Sequence, residues 1–465
     1  MKKYSLLKTI GISFLLVCIL SWIISASSLS SGTITSLSKT VPVGLYDLSL
    51  LPIITLVSFF MYGLLFLAIG GFYGVLNKTG AYSELVSNVA NKVKPKKFVI
   101  ITIVLLSLLS SLTNLTPILF ITVPFLVAIL LKQGFNKISA FAATVGSILV
   151  GTIGTTYGVI NAQIKYYFEL SSSYELYTKI ILLVMVTFLL IMYVIKKGIP
   201  KEENKKTKQK TKNEEIPLYQ NINGTRKSLP LIIISVVMLL VSILFMYNWR
   251  ISFGIKTFDN LYKSIHEFSI NGYTLFGNII GSSQGIGYIT IYDLVIIIAV
   301  ASLILGFTYR IKFSELFEAF INGSKEMIKP AIYATLSCIL YAFIYYNGSG
   351  NFVNTIVNSL SQNNAAALMS KSAILSLFYN DFTNLIGYNA SLFTSYDSTL
   401  LPTVGIVLQS VYGFVMLLAP TSVYLIGGLA FLNISYKEWF KYIWKYLLAI
   451  LLVIIITCVI MFIFI

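Results

Sequence analysis

An all-α polytopic membrane protein is the fold class this sequence predicts, on three observations. Of 465 residues, 57% are hydrophobic and only 11% are charged, where a soluble domain carries about a quarter charged residues. Apolar runs of the length that crosses a bilayer recur along the whole chain. The cations are also unevenly placed: 27 of the 34 Lys and Arg fall within 2–8, 78–97, 132–137, 196–227, 310–329 and 437–445. Alternating spans would leave all of these stretches on one side, and the positive-inside rule makes that side cytoplasmic. The net charge of +17 therefore reflects topology, with the lipid bilayer as partner and no nucleic acid. Cys18, Cys338 and Cys458 all sit in apolar runs and read as small core residues. A single histidine, His266, argues against histidine-based catalysis, and no cofactor is expected.

The first span is 9–27, preceded by Lys2, Lys3 and Lys8. Its long core and the many spans after it favour an uncleaved helix over a signal peptide, with a cytoplasmic N-terminus. The second span is 48–76. The next apolar run, 98–131, is too long for one span of about 20 residues. Yet the basic loops on both of its flanks belong to the same face. A re-entrant hairpin satisfies both facts, with "TNLTP" at its tip and arms of about 15 residues, roughly 22 Å long. Spans follow at 139–161 and 177–196. The polar, mixed-charge stretch 196–228 reads as a flexible cytoplasmic linker between a first repeat, 1–195, and a second, 229–465.

The second half holds spans at 229–247, 290–308, 331–346, 402–432 and 443–465. Between them lie an external loop, 248–289, and an amphipathic interfacial stretch, "KFSELFEAFINGSKEMI". Segment 372–397 has the same defect as 98–131: its apolar run is cut by Asn380, Asp381, Thr383 and Asn384. Its flanks carry little positive charge, so it enters from the opposite face. The expected plan is an inverted repeat with two re-entrant hairpins and two broken helices, as secondary transporters use.

The broken helices are "GSILVGTIGTTYGVIN" and "GFVMLLAPTSVYLIGG". Glycine lets the backbone leave helical geometry, and proline removes a donor. In lipid such breaks persist only where buried in protein or lining a wet cavity. One Gly-Thr cluster alone is more often close packing. Four interruptions in the order hairpin, break, hairpin, break point to a binding site. The candidate residues are Thr113, Asn114 and Thr116; Gly154, Thr155, Thr156 and Asn161; Asp381, Thr383 and Asn384; and Pro420, Thr421 and Ser422. Asp381 is the one acid placed near mid-membrane, as proton carrier, ion ligand, counter-ion to a cationic substrate, or simply the cap of the second arm.

This pattern resembles the ion-transporter superfamily, and within it the YfcC-like branch of C4-dicarboxylate and basic amino-acid carriers. "IGGFYGVLNKTGAY" is similar to that branch's glycine motif, and "QSVYGFVMLLAPTSVYLIGGLAFLNISYKEWFKY" to its closing signature. The resemblance implies a scaffold domain and a transport domain that move as an elevator, a homodimer, and Na⁺ near Asn114 and Asn384. The spacing at the two tips departs from the family's. No Lys or Arg is identified in the membrane interior, which tilts the substrate toward an amino acid, a basic one exchanged for its product. The runner-up is a Na⁺-coupled carboxylate carrier, and H⁺ is the other coupling ion. From other classes, a flippase or a membrane-embedded enzyme is weighed. The enzyme lacks the acid, metal-ligand or nucleophile inventory it would need. Richness in Lys, Ile, Asn and Tyr suggests an AT-rich bacterial genome, and the expected location is a bacterial cytoplasmic membrane, crossed many times.

Overall fold

The computed structural model describes residues 5–30, 33–37, 39–171, 173–198, 215–222, 226–281, 283–345, 350–360, 362–394 and 396–463. Helix α1 (Ser5–Ile23) leads into a hairpin of β1 (Ser27–Ser30) and β2 (Thr33–Ser36), then α2 (Leu45–Lys78) and α3 (Ala81–Lys92). Helix α4 (Pro95–Thr113) turns at Asn114 into α5 (Thr116–Ile121) and α6 (Val123–Lys132). Next, α7 (Lys137–Phe141) continues through a π turn at Ala142–Gly146 into α8 (Ser147–Gly151). After an interruption come α9 (Val159–Phe168) and α10 (Leu176–Gly198).

The second half opens with α11 (Leu229–Met246). A small cluster follows: α12 (Trp249–Phe253), α13 (Thr257–His266), the paired β3 (Ser269–Ile270) and β4 (Tyr273–Thr274), and α14 (Leu275–Ile280). Then come α15 (Ile291–Thr308), α16 (Phe313–Glu326), α17 (Ile328–Tyr345), α18 (Phe352–Ser359), α19 (Ala365–Phe378) and α20 (Phe382–Asn389). Helices α21 (Leu401–Met416), α22 (Val423–Phe431) and α23 (Tyr436–Ile463) complete the chain. Among the described residues, nine helices are long and apolar enough to cross a membrane: α1, most of α2, α4, α10, α11, α15, α17, α21 and α23. The protein is an all-α polytopic membrane protein.

Each half contains a helix pair joined at a polar turn and followed by an interrupted helix. Two boundaries differ from expectation. Helix α4 has 19 residues, about 28 Å at 1.5 Å per residue, so it is longer than the 15-residue arm read from sequence. The second pair begins at Ala365, not 372, because Asn364 caps α19 by accepting a hydrogen bond from Ala367 N. Lys371, just before the segment read from sequence, lies inside that helix. It is only 6% exposed, with its ammonium 5.6 Å from the Tyr396 ring centroid.

The glycine motif of α2 has a packing role. A Cβ on Gly74 would lie 2.1 Å from the Ala319 carbonyl oxygen, and one on Gly323 would lie 2.1 Å from that of Gly70. The α2–α16 crossing therefore has backbone against backbone. The expected interfacial helix is α16, tied to α2 by this seam and by a Lys78–Glu315 ion pair of 3.0 Å. The Lys78 hydrogen bond holds the Glu315 carboxyl below its usual range. We expect Gly323→Leu to destabilise the protein by on the order of 3 kcal/mol through overpacking. Gly11→Leu, whose Cβ meets nothing within 4 Å, should leave the melting temperature of detergent-solubilised protein unchanged.

The charged linker is partly docked. Its segments 199–214 and 223–225 lie outside the described residues. Leu218, however, is 1% exposed. Its N–H donates to Glu326 Oε2 (2.8 Å), and its carbonyl accepts from Asn77 Nδ2 (3.1 Å). Lys132 donates to the Tyr219 hydroxyl at 2.6 Å. The end of the linker thus ties α2, α6 and α16 together at the lysine-rich end, which a reading as flexible coil did not foresee.

Candidate functional site

The first interruption, Thr152 to Gly158, is held by the turn after α4. Serines on one face of α4 take up carbonyls of the opposing helix: Ser107 Oγ donates to Ser147 O (3.2 Å), Ser110 Oγ to Ile148 O (2.6 Å) and Ser111 Oγ to Gly154 O (2.7 Å). Thr156 N donates to Ser111 O at 3.0 Å. Asn114 sits in the left-handed region at φ 52, which a short amide side chain tolerates. Its Nδ2 donates to Thr155 Oγ1 (3.0 Å) and Ser110 O (3.0 Å), while Oδ1 accepts from Ile160 N (3.1 Å). An interrupted helix leaves backbone groups that cost about 1–3 kcal/mol each if buried unpaired. Asn114 and Ser111 satisfy several of them.

The predicted residues here have distinct fates. Asn114, Thr155 and Thr156 come together. Gly154 is a close-packing position, since a Cβ there would lie 2.6 Å from Leu183 N. Thr113 is engaged within the turn, donating to Leu109 O and accepting from Leu115 N. Thr116 begins α5, its N–H donating to Asn114 O at 2.9 Å.

At the second turn, Asp381 caps α20. Its Oδ1 accepts from Asn384 N (2.8 Å) and its Oδ2 from Asn384 Nδ2 (2.6 Å), so the capping role weighed from sequence is present in the geometry. Asn380 is 7% exposed, and its Oδ1 has no hydrogen-bond partner. Thr383 is exposed. The second interruption, Leu417 to Ser422, closes on this turn: Thr421 Oγ1 donates to Leu377 O (2.9 Å), and Pro420 O accepts from Ser337 Oγ (2.6 Å). Ser422 is 2% exposed and its N–H donates to Ala419 O at 3.0 Å. The Asp381 charge lies within electrostatic reach of Tyr62, Tyr412 and Tyr424.

Helix α21 joins the two. Gln409 Nε2 donates to Thr155 O (3.2 Å) and Ser410 Oγ to Ile153 O (3.2 Å), both carbonyls of the first interruption. One turn on, the Tyr412 ring meets Phe382 of the second turn at 5.2 Å between centroids. Gln409 is 0% exposed, and its Oε1 has no partner. Buried unpartnered acceptors thus stand on both sides of α21.

The structure also overturns the reading that no Lys or Arg is buried. Lys179, on the first turn of α10, is 1% exposed. Its Nζ donates to Asn161 Oδ1 at 2.6 Å and lies 3.2 Å from the Tyr174 ring centroid. A lysine near a span end is ordinarily expected to reach out to the interface. Here α9 folds over it, bringing Asn161 onto its ammonium beside the first interruption. Nothing local in the sequence signals this contact. Ser107 and Ser110 were also missed, although a serine recurring on one face of an apolar helix was a legible cue. Segment 248–289, expected as an external loop, is not a bare loop: next to it Tyr247 donates its hydroxyl hydrogen to Tyr157 O, and its Phe253 packs on the Tyr157 ring at 5.9 Å.

Residues 6–266 match the citrate transporter family, CitMHS. The chain belongs to that family. Residues 401–463 also match DcuC, the C4-dicarboxylate anaerobic carrier family. This citrate transporter family member is therefore a membrane transporter of the ion-transporter type. Comparison with curated proteins found no match. Among solved structures, the YdaH transporter of Alcanivorax borkumensis aligns over 98% of this chain and 97% of its own, at 14% identity and a TM-score of 0.38. MtrF of Neisseria gonorrhoeae, from a class of antimetabolite efflux pumps, aligns over 97% and 94%, also at 14% identity and 0.38.

Proposed function

We propose that this protein is a secondary active transporter for a small carboxylate, close to the YfcC-like branch. The observation that carries the substrate class is Lys179. It is a buried ammonium beside the first interruption, with the neutral partners Asn161 and Tyr174 closest to it. A buried charge is costly; Glu175, four residues earlier, is the acid that acts on it, and a substrate carboxylate arriving there would add a second counter-charge. The amino-acid tilt rested on the absence of such a cation, so that premise is gone.

In this reading the two helix–turn–helix pairs are re-entrant hairpins of opposite entry, and the halves on either side of 196–228 form an inverted repeat. The substrate lies between Asn114, Thr155 and Thr156 on one side and Asn380, Asp381 and Thr421 on the other. Gly154, Thr113, Thr116, Ser422, Asn384 and Thr383 then shape the turns and breaks around it. Coupling to Na⁺ or H⁺, a homodimer, and a bacterial cytoplasmic membrane with the N-terminus inside complete the reading.

A second reading, exchange of a basic amino acid, is favoured by Asp381, whose charge sits among Tyr62, Tyr412 and Tyr424. Purified protein in liposomes, offered labelled citrate, succinate, glutamate and arginine under Na⁺ and pH gradients, separates the two. Citrate or succinate uptake driven by either gradient is expected. Uptake of arginine alone, dependent on internal arginine and lost in Asp381→Asn, would sink the carboxylate reading.

A further inference from the structure

At the end opposite the lysine-rich loops, a cavity of about 420 Å³ opens between the end of α17, the second hairpin and the β1–α18 rim. Its wall is a run of tyrosines brought together from α17 and the second helix pair. Tyr341 and Tyr345 are one turn apart on α17, with ring centroids at 4.7 Å. Tyr379, at the second turn, lies 5.3 Å from Tyr341 and 4.7 Å from Tyr345. Tyr388 extends the row at 6.5 Å from Tyr379, stacked on it and 64% exposed.

The site is built. Asn389 Nδ2 donates to the Tyr379 hydroxyl at 2.8 Å, which fixes that ring. The rim is pinned by the Ser27–Asn351 bridge and by Asn354 Nδ2, which donates to Ser27 O at 3.0 Å. Among the described residues, no Lys or Arg lines the cavity. Asp381, two residues after Tyr379, caps α20 at the same turn.

Aromatic faces carry negative potential and attract cations within about 6 Å of the ring centroid. Tyr379 is itself 1% exposed behind the row, so the open rings are Tyr341, Tyr345 and Tyr388; with no lining cation among the described residues and Asp381 at the adjoining turn, they form a surface for positive charge. We propose that this cavity is a binding site for a small organic cation, an alkylammonium or guanidinium group, distinct from the carboxylate position at Lys179. The site stands on its own observations and holds whether or not the carboxylate reading does.

The probe is tetramethylammonium, compared with its neutral near-isostere tert-butyl alcohol, by saturation-transfer NMR on the purified full-length protein in nanodiscs. Binding of the ammonium and not of the alcohol is expected. Tyr388→Phe and Tyr345→Phe, which keep the ring, should bind within about twofold of the parent. Tyr388→Leu should weaken binding about fivefold. Its exposed position keeps the test independent of folding, and Tyr345→Leu should weaken binding further. Equal binding of the alcohol, no binding of either probe, or loss in the Phe variants would each overturn the assignment.

Discussion

Lys179→Met is expected to lower carboxylate uptake about ten- to a hundredfold while leaving the protein folded. A hydrogen bond to a charged group contributes about 1.5–3 kcal/mol, and each 1.4 kcal/mol is about a factor of ten. Stability should change little, because two effects oppose each other. Asn161 Oδ1 loses its 2.6 Å donor, but an ammonium that is 1% exposed no longer has to be kept out of water. Methionine fills nearly the same length without a charge. The check is a pair of measurements on one preparation: initial uptake into liposomes, and the melting temperature in detergent. Parental uptake in Lys179→Met would make the lysine a packing element and remove the basis for a carboxylate substrate.

Gly158→Ala should be the second severe substitution, for a steric reason with no backbone component. Gly158 has φ −63 and ψ 176, which alanine adopts freely. Its Cβ, however, would lie 2.0 Å from Asn114 Oδ1 and 2.5 Å from Asn114 Cγ. Asn114 would have to leave Ile160 N, Thr155 and Ser110 together, costing about 1–3 kcal/mol for each buried group left unpaired. The junction between turn and break would open, and transport should fall by about a hundredfold or more. Gly146→Ala is the control. It lies in the π turn before α8, on the other side of the break, where a Cβ would meet nothing closer than 3.7 Å, and removing glycine's freedom there favours folding. Near-parental uptake in Gly146→Ala together with loss in Gly158→Ala would tie the effect to Asn114 and not to the helix as a whole.

Both substitutions bear on how much of the site could be read in advance. Asn114, Thr155 and Thr156 were legible because hydroxyl and amide groups inside an apolar run must find partners within the protein. The breaks at 152–158 and 417–422 were legible because glycine and proline clusters cannot continue a helix in lipid without compensation. Asp381 was legible as an isolated acid, and its capping of α20 was weighed from its position. The glycines at 70 and 74 were noticed as a motif. Their purpose became clear only when Gly323 was found against them, 249 residues further along than Gly74.

Lys179 was hidden because its surroundings are not local. Read from neighbours alone, a lysine three residues into α10 belongs to an interface. Asn161 reaches it only through the return of the chain from α9 to α10, although Tyr174 is five residues away in sequence. The tyrosine wall was hidden for the same reason, since the Tyr341–Tyr345 pair on α17 meets Tyr379 and Tyr388 of the second hairpin. The docking of Leu218 and Tyr219 was masked by the polar composition of the linker around them.

By itself, then, the sequence determined the membrane-spanning class, the lysine-rich face and the places where helices must break. Each of these follows from the transfer of residues between water and lipid, which acts locally along the chain. Only the tertiary structure decided which polar groups face one another across the breaks, which lysines are buried, and where the aromatic rings gather. Those depend on contacts between distant segments, where a few tenths of an ångström at a glycine or an amide determine whether a group is paired.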